Sequence, residues 1–412
     1  MQRIKQLRRF VSEKDPPPWH GFRSFLSKHD KEDENKVCRL FAITSNEPLS
    51  PMVALRALDV MKEGHDGSGV GLLMTDLGGD LEQFRGSPIL SGVFSQEGIK
   101  RLDRYMMELG LLTKFKLSIR PAKEPPEGTP KRDVYLIRVY EYPFEWEGLS
   151  ETEIAERLMR IRIDLRRLGG QDGSMMVFSF WPDTIVIKEV GDPLAIAEYL
   201  GLDRKGLKAR VIMAQGRQNT NYAVTLYACH PFFLQGFATM TNGENTAFGP
   251  IRDYLMSRGF PGYTGYQSDS EVFTHILHYT VNRLGLGIED YKHIITPLKD
   301  EELTRHPEGV FLRRLKHGCR FLTIDGPNCV IGCLPDKTLF MVHDSKKLRP
   351  GVVGGRPGMF AFSSEMCGLD GAIPVREENC EFQPMKYDLA SVDASRMEVR
   401  RWSQWQPCTH LH

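Results

Sequence analysis

The sequence has almost no excess charge of either sign. Its 412 residues contain 54 Lys and Arg against 53 Asp and Glu, which gives a formal net charge of +1. This balance excludes a strongly basic nucleic-acid-binding protein and an acidic disordered chain. Apolar residues make up 41% and charged residues 26% of the chain, as in ordinary globular proteins. Because a domain holds roughly 150 residues, this length predicts two or three domains or one large one.

Long hydrophobic runs are also missing. No stretch approaches the roughly 18 uncharged apolar residues that cross a bilayer, so a membrane role is not predicted. Residues 1–37 contain no apolar segment of the kind that a secretory signal requires.

Cysteine is scarce and scattered. The cysteines stand at positions 38, 229, 319, 329, 333, 367, 380 and 408, too far apart on average for a disulfide framework. Cys329 and Cys333 form an isolated C-x3-C without a second pair, which favours two buried thiols over a zinc site. Together with the missing signal, this usage predicts a cytoplasmic, reducing environment.

The character of the chain changes at residue 37. The segment before it is rich in charge and contains the run Pro16-Pro17-Pro18. It is typical of a detachable, partly helical extension. From Val37 onward the sequence reads Val-Cys-Arg-Leu-Phe-Ala-Ile, the pattern of a buried strand. We therefore divide the chain into an extension at 1–37 and one domain at 38–412, with an elaborated insert at about 74–170.

Short strands and Gly/Pro turns recur along residues 38–412, together with several helices. The predicted strands follow one another in runs and hairpins and do not alternate with helices. One such hairpin is predicted over residues 174–187. This arrangement predicts an α+β fold or a layered sandwich and disfavours a doubly wound parallel sheet. The glycines between 64 and 71 do not form G-x-G-x-x-G, so no dinucleotide site is expected.

Six short motifs follow one another in a distinctive order. They are Cys-Arg-Leu-Phe at 38–41, Gly-His-Asp-Gly-Ser-Gly at 64–69, Arg-Gln-Asn-Thr-Asn at 217–221, His-Pro-Phe at 230–232, Asn-Gly-Glu-Asn-Thr at 242–246 and Ser-Asp-Ser-Glu-Val at 268–272. Each alone is unspecific. The series as a whole resembles the glutaminase domain of class II glutamine amidotransferases, which are N-terminal-nucleophile hydrolases.

The resemblance is strongest to the glutaminase domain of glutamate synthase, where R-x-S-T-N-T leads through Q-P-F to H-N-G-E-I-N-T. It covers roughly residues 38–385 and implies an α+β, four-layer αββα sandwich. Three departures stand out. Arg39 follows the cysteine where the family usually has Gly, Thr241 replaces a His, and one residue is missing between Glu244 and Asn245.

The resemblance implies that Cys38 is the catalytic nucleophile and that its own α-amino group is the base. An α-amine titrates near ~8, whereas an amide nitrogen has no comparable basicity. Cys38 must then become the first residue, which requires cleavage of the Val37–Cys38 bond. Residues 1–37 are accordingly expected to be a propeptide.

The same resemblance assigns four further residues. Asn242 and Gly243 are expected to form the oxyanion hole, Arg217 to bind the α-carboxylate of glutamine, and Asp269 to bind its α-ammonium. No cofactor and no metal are implied. Taken singly, each residue has an ordinary alternative: Asn-Gly as a type I′ turn, Arg217 as a surface charge, and Asp269 as a helix N-cap. The adjacent Cys229 and His230 imitate a Cys–His dyad, but neighbours in a strand point to opposite faces.

The expected reaction is hydrolysis of glutamine to glutamate and ammonia, with the ammonia passed to a separate, ammonia-accepting subunit of glutamate synthase type. Two alternatives stay open: an amide hydrolase of this fold acting on another γ-glutamyl or linear amide, and a non-catalytic regulatory subunit that retains the fold. The glycine-rich segment 259–266 is expected to be a lid that becomes ordered when the partner docks.

Overall fold

The computed structural model describes residues 38–61, 67–119, 121, 124–204, 206–217, 225–260 and 262–408. The predicted propeptide lies outside the described residues, and so do His65 and the part of the third motif at 218–221.

The strands of the described chain form three sheets. They are β1 (Arg39–Leu49), β2 (Gly69–Gly79), β3 (Pro88–Phe94), β4 (Thr113–Ile119), β5 (Val134–Tyr140), β6 (Met175–Pro182), β7 (Thr184–Glu189), β8 (Leu207–Arg217), β9 (Phe232–Leu234), β10 (Phe237–Gly243), β11 (Asn328–Cys333), β12 (Leu339–His343), β13 (Val352–Arg356), β14 (Met359–Ser363), β15 (Asp388–Asp393) and β16 (Glu398–Ser403).

Helices connect and cover these sheets. They are α1 (Met52–Val60), α2 (Gln96–Glu108), α3 (Glu151–Gly170), α4 (Pro193–Leu200), α5 (Phe248–Ser257), α6 (Glu271–Leu277), α7 (Ile288–Ile295), α8 (Asp300–Arg305), α9 (Gly309–Gly318) and α10 (Met366–Ala372). Several begin at polar caps that satisfy their first N–H groups: the Ser95 side chain accepts from Gly98, and Ser150 forms a capping box with Glu153. None of the described helices combines the length and the apolar composition that a membrane span requires.

The first sheet has the strand order β13-β14-β1-β8-β2-β7, and the second has the order β16-β15-β12-β11-β10-β9. Strand β1 of the first sheet contacts β10 of the second, and one core cluster contains side chains of both, among them Leu40 and Met240. The consecutive Leu40–Ile43 side chains are all buried, as expected for a strand covered on both faces.

Helices pack on the two sheets. Helix α1 contacts β1 and β8 of the first sheet and lies beside α4 and α10, whereas α6 contacts β9 and β10 of the second. A second core cluster joins Val330 and Phe340 of the second sheet to Phe273 and Tyr291 of the helices. All pairings between the described strands are antiparallel. The predicted mixture of helices with mainly antiparallel sheets is therefore confirmed.

The third sheet has the strand order β4-β5-β3-β6. Strands β3, β4 and β5 lie within the predicted insert at about 74–170, whereas β6 follows it and the start of that range belongs to β2 of the first sheet. Helices α2 and α3 pack on the third sheet around a separate core that includes Leu102, Leu136, Leu165 and Phe180. We call strands β3–β6 with these two helices the insert.

The hairpin predicted over residues 174–187 is wrong. Strand β6 pairs with β3 in the insert, whereas β7, one residue later, pairs with β2 in the first sheet. Asp183 makes this change of sheet in a left-handed conformation with φ of 55°. Its side chain accepts a hydrogen bond from the Leu77 N–H at 2.9 Å, which fixes the junction to β2.

Candidate active site

The start of β1 places Cys38 beside Arg217. Arg39 of β1 pairs with Gly216 of β8, so continuing the register by one residue sets Cys38 opposite Arg217. Arg217 also pairs with Gly69 of β2, and its carbonyl accepts a hydrogen bond from the Ser68 hydroxyl at 3.0 Å. Two of the predicted site residues thus lie at the same end of β1 and β8, two neighbouring strands in the middle of the first sheet.

The alternation of side chains along β1 indicates which way Cys38 faces. The Arg39 guanidinium donates to the carbonyl of Leu58 in α1 at 2.6 Å, so Arg39 lies on the helix-covered face of the sheet. Successive residues of a strand face opposite sides. The half-buried Cys38 therefore faces the second sheet.

Arg217 carries unused hydrogen-bonding capacity. The residue is only 7% exposed, and among the described residues its Nη1 atom is buried without a hydrogen-bond partner. A guanidinium pairs strongly with a carboxylate through such N–H groups. The alternative of a solvated surface charge is wrong.

Asn242 and Gly243 end β10 in the second sheet. They pair with Cys329 and Asn328 of β11, so the alternative of a two-residue hairpin turn is wrong. Asn242 is 2% exposed, and its Nδ2 atom has no hydrogen-bond partner in the described chain. Gly243 has φ of 148°, and a Cβ atom there would clash with the Pro327 carbonyl, so only glycine fits.

Asp269 lies close to the same strand end. Its Oδ2 atom accepts the backbone N–H of Asn245 at 2.9 Å, and burial raises the pKa of its carboxyl. The residue before helix α6 is Ser270, which makes no side-chain cap bond, so Asp269 is not the N-cap of that helix. Asp269 is thus joined to the segment that immediately follows Asn242 and Gly243.

One imidazole connects the two sheets at this point. The Nδ1 atom of His230 accepts the backbone N–H of Thr241 at 3.0 Å. The same atom lies 2.9 Å from Nε2 of Gln215. The Oε1 atom of Gln215 in turn accepts the backbone N–H of His230 at 2.9 Å. Gln215 precedes Arg217 by two residues on β8, and Thr241 immediately precedes Asn242.

This connection requires a neutral imidazole. Burial, reinforced by the nearby Arg217, lowers the pKa of His230 well below its usual value, so Nδ1 stays free to accept hydrogen bonds. Sequence reasoning included His230 only as part of a motif and missed Gln215 entirely, because a single glutamine in a strand carries no recognisable signal.

Cys229 lies beside the site without forming a dyad. Its Sγ atom occupies the space that a side chain at Gly69 would need. Its neighbour His230 uses Nδ1 for Gln215 and Thr241 instead. Burial raises the pKa of the Cys229 thiol, which leaves it in the unreactive protonated form.

The predicted lid segment is hydrogen-bonded to Glu271 in the part that the structure describes. Tyr263, Thr264 and Tyr266 are buried, and the Glu271 carboxylate accepts the backbone N–H groups of Thr264 at 2.8 Å and Tyr266 at 2.9 Å. These bonds come from within the chain. That the segment covers bound glutamine and becomes ordered when a partner docks stays a prediction.

Comparison with known proteins gives distant similarities. No family model matches the sequence. An uncharacterized protein from Archaeoglobus fulgidus is 22% identical over 353 residues, which cover 83% of this chain and 89% of that protein.

Two solved structures are similar to the described fold at 12% identity. One is glutamine phosphoribosylpyrophosphate amidotransferase from B. subtilis complexed with ADP and GMP, with a TM-score of 0.41. The other is the allosteric regulatory enzyme of purine biosynthesis, with a TM-score of 0.43. Both matches cover 88% of this chain and 49% of the solved chain, so this chain spans about half the length of the structures that it matches.

Proposed function

We propose that this chain is a class II glutamine amidotransferase subunit that hydrolyses glutamine to glutamate and ammonia through a thioester on Cys38. The observation that carries the proposal is the side-chain amide of Asn242, whose Nδ2 atom has no hydrogen-bond partner among the described residues. It lies buried at the end of β10, and the His230 imidazole ties that strand end to the part of β8 where Arg217 stands opposite Cys38.

The nucleophile and its base belong to one residue. Cleavage of Val37–Cys38, with residues 1–37 as the propeptide, would give Cys38 a free α-amino group that takes the thiol proton. The thiolate then attacks the side-chain amide carbon of glutamine, ammonia leaves, and water hydrolyses the thioester to release glutamate. The position of Cys38 immediately before β1, facing the second sheet, supports this role.

The tetrahedral intermediates carry a negative oxygen that needs hydrogen-bond donors. Asn242 supplies its side-chain amide, and Gly243 supplies its backbone N–H. A buried donor without a protein partner suits this purpose because it need not break an existing bond to receive the oxyanion.

The α-carboxylate and the α-ammonium group of glutamine are each assigned to a side chain of opposite charge. Arg217 takes the α-carboxylate through its Nη1 atom, which has no hydrogen-bond partner among the described residues. Asp269 takes the α-ammonium, and the arrival of this cation would favour the ionised form that burial disfavours.

The fold proposed for this activity is the four-layer αββα sandwich of N-terminal-nucleophile hydrolases, formed by residues 38–412 with the elaborated insert. The contacts of α1 with the first sheet, of β1 with β10, and of α6 with the second sheet support it. The ammonia acceptor is proposed to be a separate subunit of glutamate synthase type, acting in cytoplasmic glutamate biosynthesis.

Ammonia release from L-glutamine tests the activity. The chain beginning at Cys38 is compared with its Cys38→Ala variant and with Cys367→Ala, which removes another half-buried thiol. We expect activity to disappear in the first variant and to persist in the second. Faster hydrolysis of a γ-amide without α-amino and α-carboxylate groups would favour the alternative amide hydrolase. Inactivity towards every amide would favour the regulatory subunit.

A further inference from the structure

Arg162 is a buried guanidinium to which no described carboxylate is hydrogen-bonded. It lies in α3 of the insert and is 1% exposed. Among the described residues, its Nε, Nη1 and Nη2 atoms have no hydrogen-bond partner. The guanidinium carbon lies 3.8 Å from the centroid of the Tyr263 ring and 5.7 Å from that of Tyr227. These ring contacts attract the cation but leave its N–H donors unsatisfied.

The neighbours of Arg162 are also basic residues, one of which, Lys188, is cationic only below about pH 7 because burial lowers its pKa. Arg166 follows one helical turn later, and its Nε atom is likewise buried without a partner. Lys188 is buried, and its Nζ atom donates to the backbone carbonyls of Tyr227 at 3.4 Å and of Cys229. The charge of Arg162 adds to burial in lowering the pKa values of Arg166 and Lys188. The three basic side chains therefore act on one another inside the protein.

Glu271 offsets part of this positive charge, since its carboxylate opposes the lowering of the pKa values of Arg166 and Lys188, but it is bonded to other groups. The Glu271 carboxylate accepts hydrogen bonds from Thr264 and Tyr266 and lies 3.0 Å from the His275 ring. Glu189 is next to Lys188 in β7. Its two carboxylate oxygens accept hydrogen bonds from Nε and Nη2 of the Arg132 guanidinium at 3.0 and 3.1 Å. A buried charge is costly unless it is paired and hydrogen-bonded.

A cavity lies next to Tyr227, although Arg162, Arg166 and Lys188 do not line it. It has a volume of about 460 Å³ and is lined by Tyr227 and by Gly169 and Gly170 at the end of α3. The Tyr227 hydroxyl is another buried polar atom without a hydrogen-bond partner in the described chain. The cavity thus brings open volume to the aromatic ring that Arg162 contacts.

We propose that Arg162, Arg166 and Lys188 form a buried binding site for a small anion, a halide or a compact oxyanion such as phosphate. The anion supplies a counter-charge and accepts the unused guanidinium N–H groups. It would stabilise the packing of α3 against Tyr227 and Tyr263. This site does not depend on the proposed glutaminase activity.

Thermal unfolding of the whole chain tests the site. Unfolding is followed at constant ionic strength while the bulky sulfonate of a MES buffer is replaced by chloride in one series and by inorganic phosphate in another. Because a ligand that binds only the folded state stabilises it, we expect Tm to rise by roughly 3 °C or more at about a hundredfold excess over the Kd.

Two variants with substitutions in α3 test whether the anion-dependent rise in Tm requires Arg162. Arg162→Met is expected to lose the anion-dependent rise, whereas Arg160→Met, which removes an exposed arginine of the same helix, is expected to keep it. A response to chloride alone identifies a halide site, and a response to phosphate alone identifies an oxyanion site. An equal response in wild type and Arg162→Met, or no response in wild type, overturns the proposal.

If Arg162→Met does not fold, crystallography of the wild-type chain tests the anion site instead. Crystals of the wild-type chain are soaked in bromide and in phosphate, and difference maps, anomalous for bromide, are calculated at Arg162. A bound ion within hydrogen-bond distance of the guanidinium supports the site. Crystals in which neither anion binds beside Arg162 contradict it.

Discussion

The Nδ1 atom of His230 accepts the backbone N–H of Thr241 at 3.0 Å, and this bond fixes the strand end that carries Asn242. The same nitrogen lies 2.9 Å from the Gln215 side-chain amide, so the imidazole sets the spacing between β8 and β10. His230 is therefore a positioning residue for the proposed oxyanion hole.

Replacing His230 by Phe removes the acceptor and keeps an aromatic ring. We expect kcat to fall by ~10-fold to 10²-fold because Asn242 loses its position. KM for glutamine should change little, since Arg217 and Asp269 remain. Steady-state kinetics check this split. His230→Asn, whose carbonyl oxygen can accept a hydrogen bond, is expected to recover part of the rate. Equal losses in kcat for both variants would contradict the positioning role.

Asn242→Ala separates catalysis from stability. Removal of one oxyanion donor typically lowers kcat by ~10²–10³-fold. Because the Nδ2 atom has no partner in the described structure, its removal should leave the free energy of unfolding unchanged or increase it.

Kinetics and denaturant unfolding of the same preparation measure both quantities for Asn242→Ala. The control is Asn282→Ala, whose amide lies 3.2 Å from the His278 ring, and here we expect stability to fall while kcat is kept. Normal kcat in Asn242→Ala would remove Asn242 from the proposed oxyanion hole.

Lys188 should make stability depend on pH. Burial lowers its pKa to about 7, whereas an exposed lysine in the unfolded chain titrates near ~10.4. Between these values the unfolded state binds the extra proton, so the contribution of Lys188 to stability rises as pH rises and is least favourable below pH 7.

The difference between wild type and Lys188→Met isolates this group from the others that titrate. We expect the stability gained by the variant over the wild type to be largest below about pH 7. It should shrink by ~1.4 kcal/mol per pH unit between about pH 7 and 10. Denaturant unfolding across this range gives the result. A difference that does not change with pH would show that Lys188 stays charged in the folded protein.

Local sequence patterns predicted the elements that begin and end at the site. The apolar run after Cys38 indicated the buried strand β1, and the resemblance to class II glutamine amidotransferases implied that Arg217, Asn242 and Asp269 belong to one functional region. The structure adds that the register of β1 and β8, continued by one residue, sets Cys38 opposite Arg217, and that Asp269 is bonded to Asn245. The catalytic roles of these residues stay predictions.

Long-range partners could not be predicted in the same way. The alternation in residues 174–187 indicated two strands, but a strand pattern does not say which sheet it joins, and β6 and β7 join different ones. The glycines of segment 259–266 suggested hinges. Gly262 and Gly265 provide left-handed turns, with φ of 77° and 88°, in a loop that Glu271 holds.

The central claim is that Cys38, with a free α-amino group, is the nucleophile. The most direct test treats the chain beginning at Cys38 with an electrophilic diazo-ketone analogue of glutamine and maps the adduct by mass spectrometry. The same treatment is given to a chain that retains residues 1–37. We expect a single adduct on Cys38 in the first chain, formed at the rate at which glutaminase activity is lost, and no adduct in the second. Labelling of Cys229, or equally fast labelling of Cys38 in both chains, would contradict this account.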